Sequence, residues 1–94
     1  LAEADPDRFR PNLARSLHNC GVNLAALGRH TEALDMKQEA VAVCRELAEA
    51  DPDRFRPDLA QSLHSLGITL EELGRHTEAL AVRQEVDAIL QLLD

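Results

Sequence analysis

Apolar residues recur along this chain at intervals of three and four. Leu13, Leu17, Cys20, Leu24 and Leu27 form one such stripe, which predicts a helix over about 11–27. Ala33, Leu34, Ala40, Val41, Cys44, Leu47 and Ala48 trace the inward face of a second helix over about 30–50. Lys37 sits among them, its charge expected to reach past the packed edge. The pattern then returns. Leu59, Leu63, Leu66, Gly67, Leu70 and Leu73 predict a helix over 57–73, and Ala79, Leu80, Val86, Ile89, Leu90 and Leu93 one over 76–93. No stretch alternates apolar and polar for long, and β-branched residues are sparse, so strands are not expected. The fold class is all-α. Gly28 and Gly74 follow the first and third helices and suit left-handed caps. The turns after them are so short that each helix pair must be antiparallel. Pro11 and Pro57 fit the first turn of their helices, where a missing N–H costs nothing. Thr31 is placed to cap the second helix or sit in its first turn, with Glu32 near the positive end. Gly21 and Gly67 lie on the apolar stripes, where a glycine implies close approach of the neighbouring helix.

The recurrence is literal. Leu1 to Pro11 is repeated letter for letter as Leu47 to Pro57, and a shift of 46 residues brings 30 of 48 aligned positions into identity. The chain therefore reads as two copies of one helical unit in a single repeat domain. Residues 1–4 match the end of a helix whose start is missing, 5–50 form the first unit and 51–94 the second. The stretches 5–10 and 51–56 are expected to be linkers. Phe9 and Phe55, their only large apolar groups, should plug the gaps between adjacent helices, while Arg8 and Arg10 pair with carboxylates or stay solvated. Two units are fewer than such arrays usually need, because each buries its faces only against neighbours. With both ends uncapped, marginal stability as a monomer and end-to-end association are expected.

Composition narrows the possible partners. There are 17 Asp plus Glu against 10 Lys plus Arg, a formal net charge of -7. That field disfavours nucleic acid and anionic lipid, and suits a basic or mixed-charge protein segment. Trp and Tyr are absent, so no stacking platform for bases exists. No apolar run approaches a membrane span and no signal pattern opens the chain; a cytoplasmic protein is expected. Cys20 and Cys44 are replaced by Leu66 and Leu90 in the second copy. Exchange with leucine marks both as buried hydrophobes and not as a disulfide framework.

At Leu17, Cys20-Gly21, Leu24, Gly28, Ala33-Leu34, Ala40 and Val43, and again at Leu63, Leu66-Gly67, Leu70, Gly74, Ala79-Leu80, Val86 and Ile89, the chain resembles the tetratricopeptide repeat family. The ordinary unit of that family is 34 residues. The 46-residue unit here is similar to the long repeats of kinesin light chains, and closer to arrays attached to bacterial and fungal nucleotide-binding signalling ATPases. Large aromatics usual in the family are missing at Leu17, Leu24 and Lys37 and at their counterparts, and Val86 replaces a small alanine. The resemblance implies a tetratricopeptide-like α-solenoid fragment, two antiparallel helix pairs stacked right-handed. It also implies a non-catalytic protein-binding use. Its concave wall would be formed by Arg15, His18, Asn19, Val22, Ala25 and Ala26, followed by Gln61, His64, Ser65, Ile68, Glu71 and Glu72.

Spacing supports part of that wall. Arg15, His18, Asn19, Val22 and Ala26 lie off the core stripe on a three-to-four spacing of their own. Val22 and Ile68 would floor a modest groove with polar rims. Asn19 resembles the asparagine that holds a ligand's backbone in many family members, but its counterpart is Ser65. No cofactor is expected. His18 and His64 stand at equivalent positions, yet zinc wants four ligands or three plus water, and no third is in view. A groove histidine would make binding mildly pH-sensitive near neutrality, while His30 and His76 should pack or cap at the turns. The carboxylates and serines show no base-and-orienter set, so no enzyme is expected. The leading expectation is an interaction scaffold, against a structural spacer or self-assembling module, with a helical metal protein or enzyme a distant third.

Overall fold

The computed structural model describes residues 6–92, with side chains from Phe9 onward. It contains four α-helices: α1 (Pro6–Ala26), α2 (His30–Ala50), α3 (Pro52–Glu72) and α4 (His76–Leu92). Each packs on the next in the chain, while α1 and α3 meet only at an edge. The molecule measures 39 × 33 × 15 Å, and the thin dimension corresponds to two layers of helices about 8–10 Å apart. The result is two stacked antiparallel helix pairs, an all-α solenoid architecture. The expected helix tail over 1–4, and Leu93 at the far end, lie outside the described residues.

The stops form as their chemistry requires. Gly28 and Gly74 take φ of 80° and 77°. Arg29 N–H donates to the Leu24 carbonyl at 2.9 Å and Gly28 N–H to Ala25 at 3.0 Å, and the second copy repeats both bonds from Arg75 and Gly74. This is the Schellman arrangement, which satisfies the carbonyls left over at a helix end. Thr31 sits in the first turn of α2 and does not cap it. Arg29 is the residue before α2 and makes no side-chain cap bond; its guanidinium instead grips Glu32 through two bonds of 2.7 and 2.6 Å.

Residues 6–10 and 52–56, expected to be linkers, are helical. Between α2 and α3 the break is the single residue Asp51, at φ -146° and ψ 82°, whose carbonyl already accepts from Phe55 N–H at 3.1 Å. Pro52 takes the first helical position, the place its missing donor suits, so Pro57 falls inside α3 and Pro11 inside α1. The Phe55 segment is thus continuous with α3 but not with α2. Phe55 does fill the junction, at 6% exposure, whereas Phe9 is 43% exposed. Arg10 reaches Glu46 at 3.3 Å, a solvent-exposed pair.

The core runs through Leu34, Val41, Cys44 and Leu47 of α2 and Leu59, Leu63, Leu66 and Leu70 of α3. All of α2's expected inward positions are buried. Four expected core residues are exposed: Cys20 of α1 and Leu27 in the turn after it, and Leu80 and Leu90 of α4. They lie on the outer helices or in the turn beside one, on faces that no described element covers. Leu66, Leu34 and Cys44, the counterparts of Cys20, Leu80 and Leu90, are buried, whereas Leu73, the counterpart of Leu27, is half-buried. Lys37 also departs from expectation. It is 4% exposed, and its ammonium donates to the Thr69 hydroxyl at 2.7 Å and the Ser65 carbonyl at 3.1 Å.

Candidate functional site

Because α1 and α3 splay apart over α2, a groove of about 330 Å³ opens between them. One wall is Pro11, Ala14, Arg15, His18 and Asn19 of α1, and the other is Asp58, Gln61 and Ser62 of α3. Cys44 and Leu47 of α2 form the floor. The one-residue joint at Asp51 folds α3 directly back onto α2, while the Gly28 turn sets α1 on the same α2. Arg15 and Asp58, both exposed, give the groove a cationic and an anionic wall. Asn19 and Gln61 add amides that both donate and accept.

His18 is half-buried. Burial, and secondarily the Lys37 charge, hold its pKa below the ordinary histidine value. The imidazole is neutral at neutral pH, and its titration moves to the acid side of the range first expected. Burial pushes the Cys44 thiol up, opposed by its contact to Ser62 and reinforced by Asp58. Its Sγ lies 3.4 Å from Ser62 Oγ. A protonated thiol in that setting packs the floor and is no nucleophile.

Of the residues singled out from sequence, Arg15, His18, Asn19 and Gln61 line this groove together. Val22 and Ile68, exposed at 43% and 48%, stand beyond it, two apolar patches on the first and third helices. His64 is exposed and is not part of the lining. Ser65 is buried, and its carbonyl serves Lys37. Glu71 faces the turn, where its carboxylate meets His76 Nδ1 at 3.2 Å. His30 lies 3.6 Å from Glu72 through Nε2, and its Nδ1 is buried without a hydrogen-bond partner. Asp58, Ser62, Cys44 and Leu47 escaped sequence reasoning. Stepping back three residues from Gln61 reaches Asp58; for the floor there was no comparable signal, since spacing marks a buried face and not a gap above it. Among the described residues, no group of three or more His, Cys, Asp or Glu side chains is placed to hold a metal ion.

Two helix pairs stacked around a shared central seam, with a groove on the face of their first helices, define an α-solenoid interaction module. The tetratricopeptide repeat family model matches residues 13–53 and 59–86. The chain belongs to the tetratricopeptide repeat family, and it is a non-catalytic helical repeat module. No curated protein and no solved structure gives a significant match to it. Among the described residues, no helix is long and apolar enough to cross a membrane.

Proposed function

We propose that the chain binds an extended segment of a protein partner along the face of α1 and α3, with the groove at its centre. The observation that carries this is the open 330 Å³ groove, whose walls combine one cation, one anion and two amides over an apolar floor. Extended peptide offers main-chain donors and acceptors that Asn19 and Gln61 can meet, and Arg15 and Asp58 would select its charged side chains. His18, Val22, His64, Ile68 and Glu71 complete the surface along which the segment would continue. The net charge of -7 favours a basic segment through long-range attraction. The 46-residue period supports the closer likeness to kinesin light chain repeats and to arrays on signalling ATPases, and with it a cytoplasmic setting.

Titration of the labelled chain with a peptide library, followed by NMR, tests the proposal. Shifts should cluster at His18, Val22, Gln61 and Ile68. Replacing Asn19 and Gln61 together by Ala should weaken the best peptide roughly tenfold or more, two hydrogen bonds of about 1 kcal/mol each, without moving the melting temperature. A library that shifts nothing on this face leaves the module a spacer.

A second use is supported by the exposed apolar residues on the outer helices and in the turn after α1. Phe9, Leu27, Leu80 and Leu90 would be covered by neighbouring repeats or by self-association through the open ends.

A further inference from the structure

The 46-residue repeat turns the interface between α2 and α3 into a template for the two open faces. On α2, Leu34, Lys37, Val41 and Cys44 are all buried. They meet α3 along a line marked by Lys37 on Thr69 and Cys44 on Ser62. Advanced by 46, the α2 set becomes Leu80, Arg83, Asp87 and Leu90 on α4, all exposed. Moved back by 46, the α3 line of Phe55, Ser62, Leu66 and Thr69 becomes Phe9, Ser16, Cys20 and Asn23 on α1, again all exposed. Each half of one buried seam is thus present at opposite ends of the described chain, covered by none of the described residues.

We infer that a second copy of this chain covers these faces, α4 of one molecule seating on α1 of the next in the register that α2 adopts on α3. The inference rests on the second use proposed above and gives it an occupant, a register and a direction. Arg83 takes the place of Lys37. Opposite it, the Asn19 carbonyl and the Asn23 side chain stand where the Ser65 carbonyl and the Thr69 hydroxyl accept from Lys37. Leu80 and Leu90 bring apolar surface to the stripe containing Phe9, Cys20 and Leu27. Asp87 replaces Val41 and sets a carboxylate one turn from Arg83, so the copied seam is weaker than the internal one and forms at high protein concentration. The two faces are different surfaces, and the contact is heterologous. It does not close at a dimer but extends as an open chain. Each copy carries the same net negative charge, so screening salt favours the assembly.

Sedimentation equilibrium in reducing buffer tests the inference, over a wide concentration range and at low and moderate salt. The parent's mean mass should rise continuously past the dimer, more so at moderate salt. Leu27→Glu blocks the α1 face and Leu90→Glu the α4 face. Both residues are exposed, so circular dichroism should match the parent; Leu80→Glu is the alternative on α4. Each variant alone should remain monomeric. An equimolar mixture of the two retains one intact α4 face and one intact α1 face, and should form a dimer that grows no further. A parent that is monomeric throughout, or that stops at a dimer, overturns the inference. So does a variant that associates like the parent, or a mixture that stays monomeric. None of these substitutions touches the groove, so peptide binding there succeeds or fails separately.

Discussion

The stem of Lys37 lies against Gly21, at a distance where a Cβ on that glycine would come within 2.7 Å of Lys37 Cγ. From there the ammonium crosses to α3 and its two acceptors. One side chain from the first unit thereby ties the second unit to it, with a charge inside the seam. Burial holds the Lys37 pKa below the ordinary 10.5, with the Glu72 charge partly opposing. In the folded protein the charged form is disfavoured, so the unfolded chain binds more protons between the lowered and the ordinary value. Stability from this group therefore rises with pH across that interval. The Cys44 thiol, pushed up by burial, acts in the opposite direction above about pH 8.5. A comparison with Lys37→Met separates the two, since that variant keeps Cys44. Lys37→Ala should cost about 2–4 kcal/mol in urea unfolding, from the cavity and the lost hydrogen bonds. Lys37→Met should cost less than half of that, because a buried charge is exchanged for apolar packing of similar size. The gap in favour of the parent over Lys37→Met should widen from pH 7 to pH 10. A gap that stays constant would mean that the ammonium is hydrated in place and carries no burial cost.

The two units differ most where their letters agree. Gly21 and Gly67 are equivalent, and sequence spacing implied one shared close contact. Only Gly21 has it; a Cβ on Gly67 would meet Val82 Cγ1 at an ordinary 3.6 Å. Alanine is the better helix former by about 1 kcal/mol, so Gly67→Ala should stabilise by about 0.5–1 kcal/mol. Gly21→Ala displaces the Lys37 stem near its root, and overpacking of about 1–3 kcal/mol should outweigh that gain and lower the stability. Denaturant midpoints of the two variants should therefore move in opposite directions, and movement in the same direction would show that the stem yields freely. The same contrast explains what was legible in the sequence. Four helices, both glycine stops and the inward face of α2 follow from local rules, and those rules act within one element. The start at Pro52 was missed because Pro57 satisfies the same rule five residues later, with the whole segment between them able to turn helical. Burial of Lys37 and exposure of Cys20 and Leu27 depend on which element lies opposite, which periodicity does not reveal. In the groove, Arg15, His18, Asn19 and Gln61 were visible as one face. Asp58 and the Cys44–Leu47 floor were not, because they require knowing how far α1 and α3 stand apart.

In a stack whose units touch only their neighbours, stability accumulates from the middle outwards. α2 contributes eight buried residues and α3 nine, while α4 contributes three. Among residues 9–26 of α1, only Ala14 and Gly21 are buried. Among the described residues no element covers the far side of α1 or α4, so their opening exposes little apolar surface and leaves the α2–α3 seam intact. Arg45 of α2 grips Glu85 of α4 through two hydrogen bonds, but that pair is partly exposed and such pairs are worth about 1 kcal/mol or less. Hydrogen exchange should therefore be graded and not uniform. Amides of α2 and α3 should exchange most slowly, those of α4 faster, and those of α1 fastest, through local openings well below the global unfolding free energy. Equal protection in all four helices would instead mean that the chain opens as one cooperative unit. Protein concentration adds a second axis to the measurement. If copies stack α4 on α1, raising the concentration covers those two helices and no others, and the gradient should flatten from its ends. Protection that gains nothing in α1 and α4 as the concentration rises would leave the graded stability standing and remove the stacking.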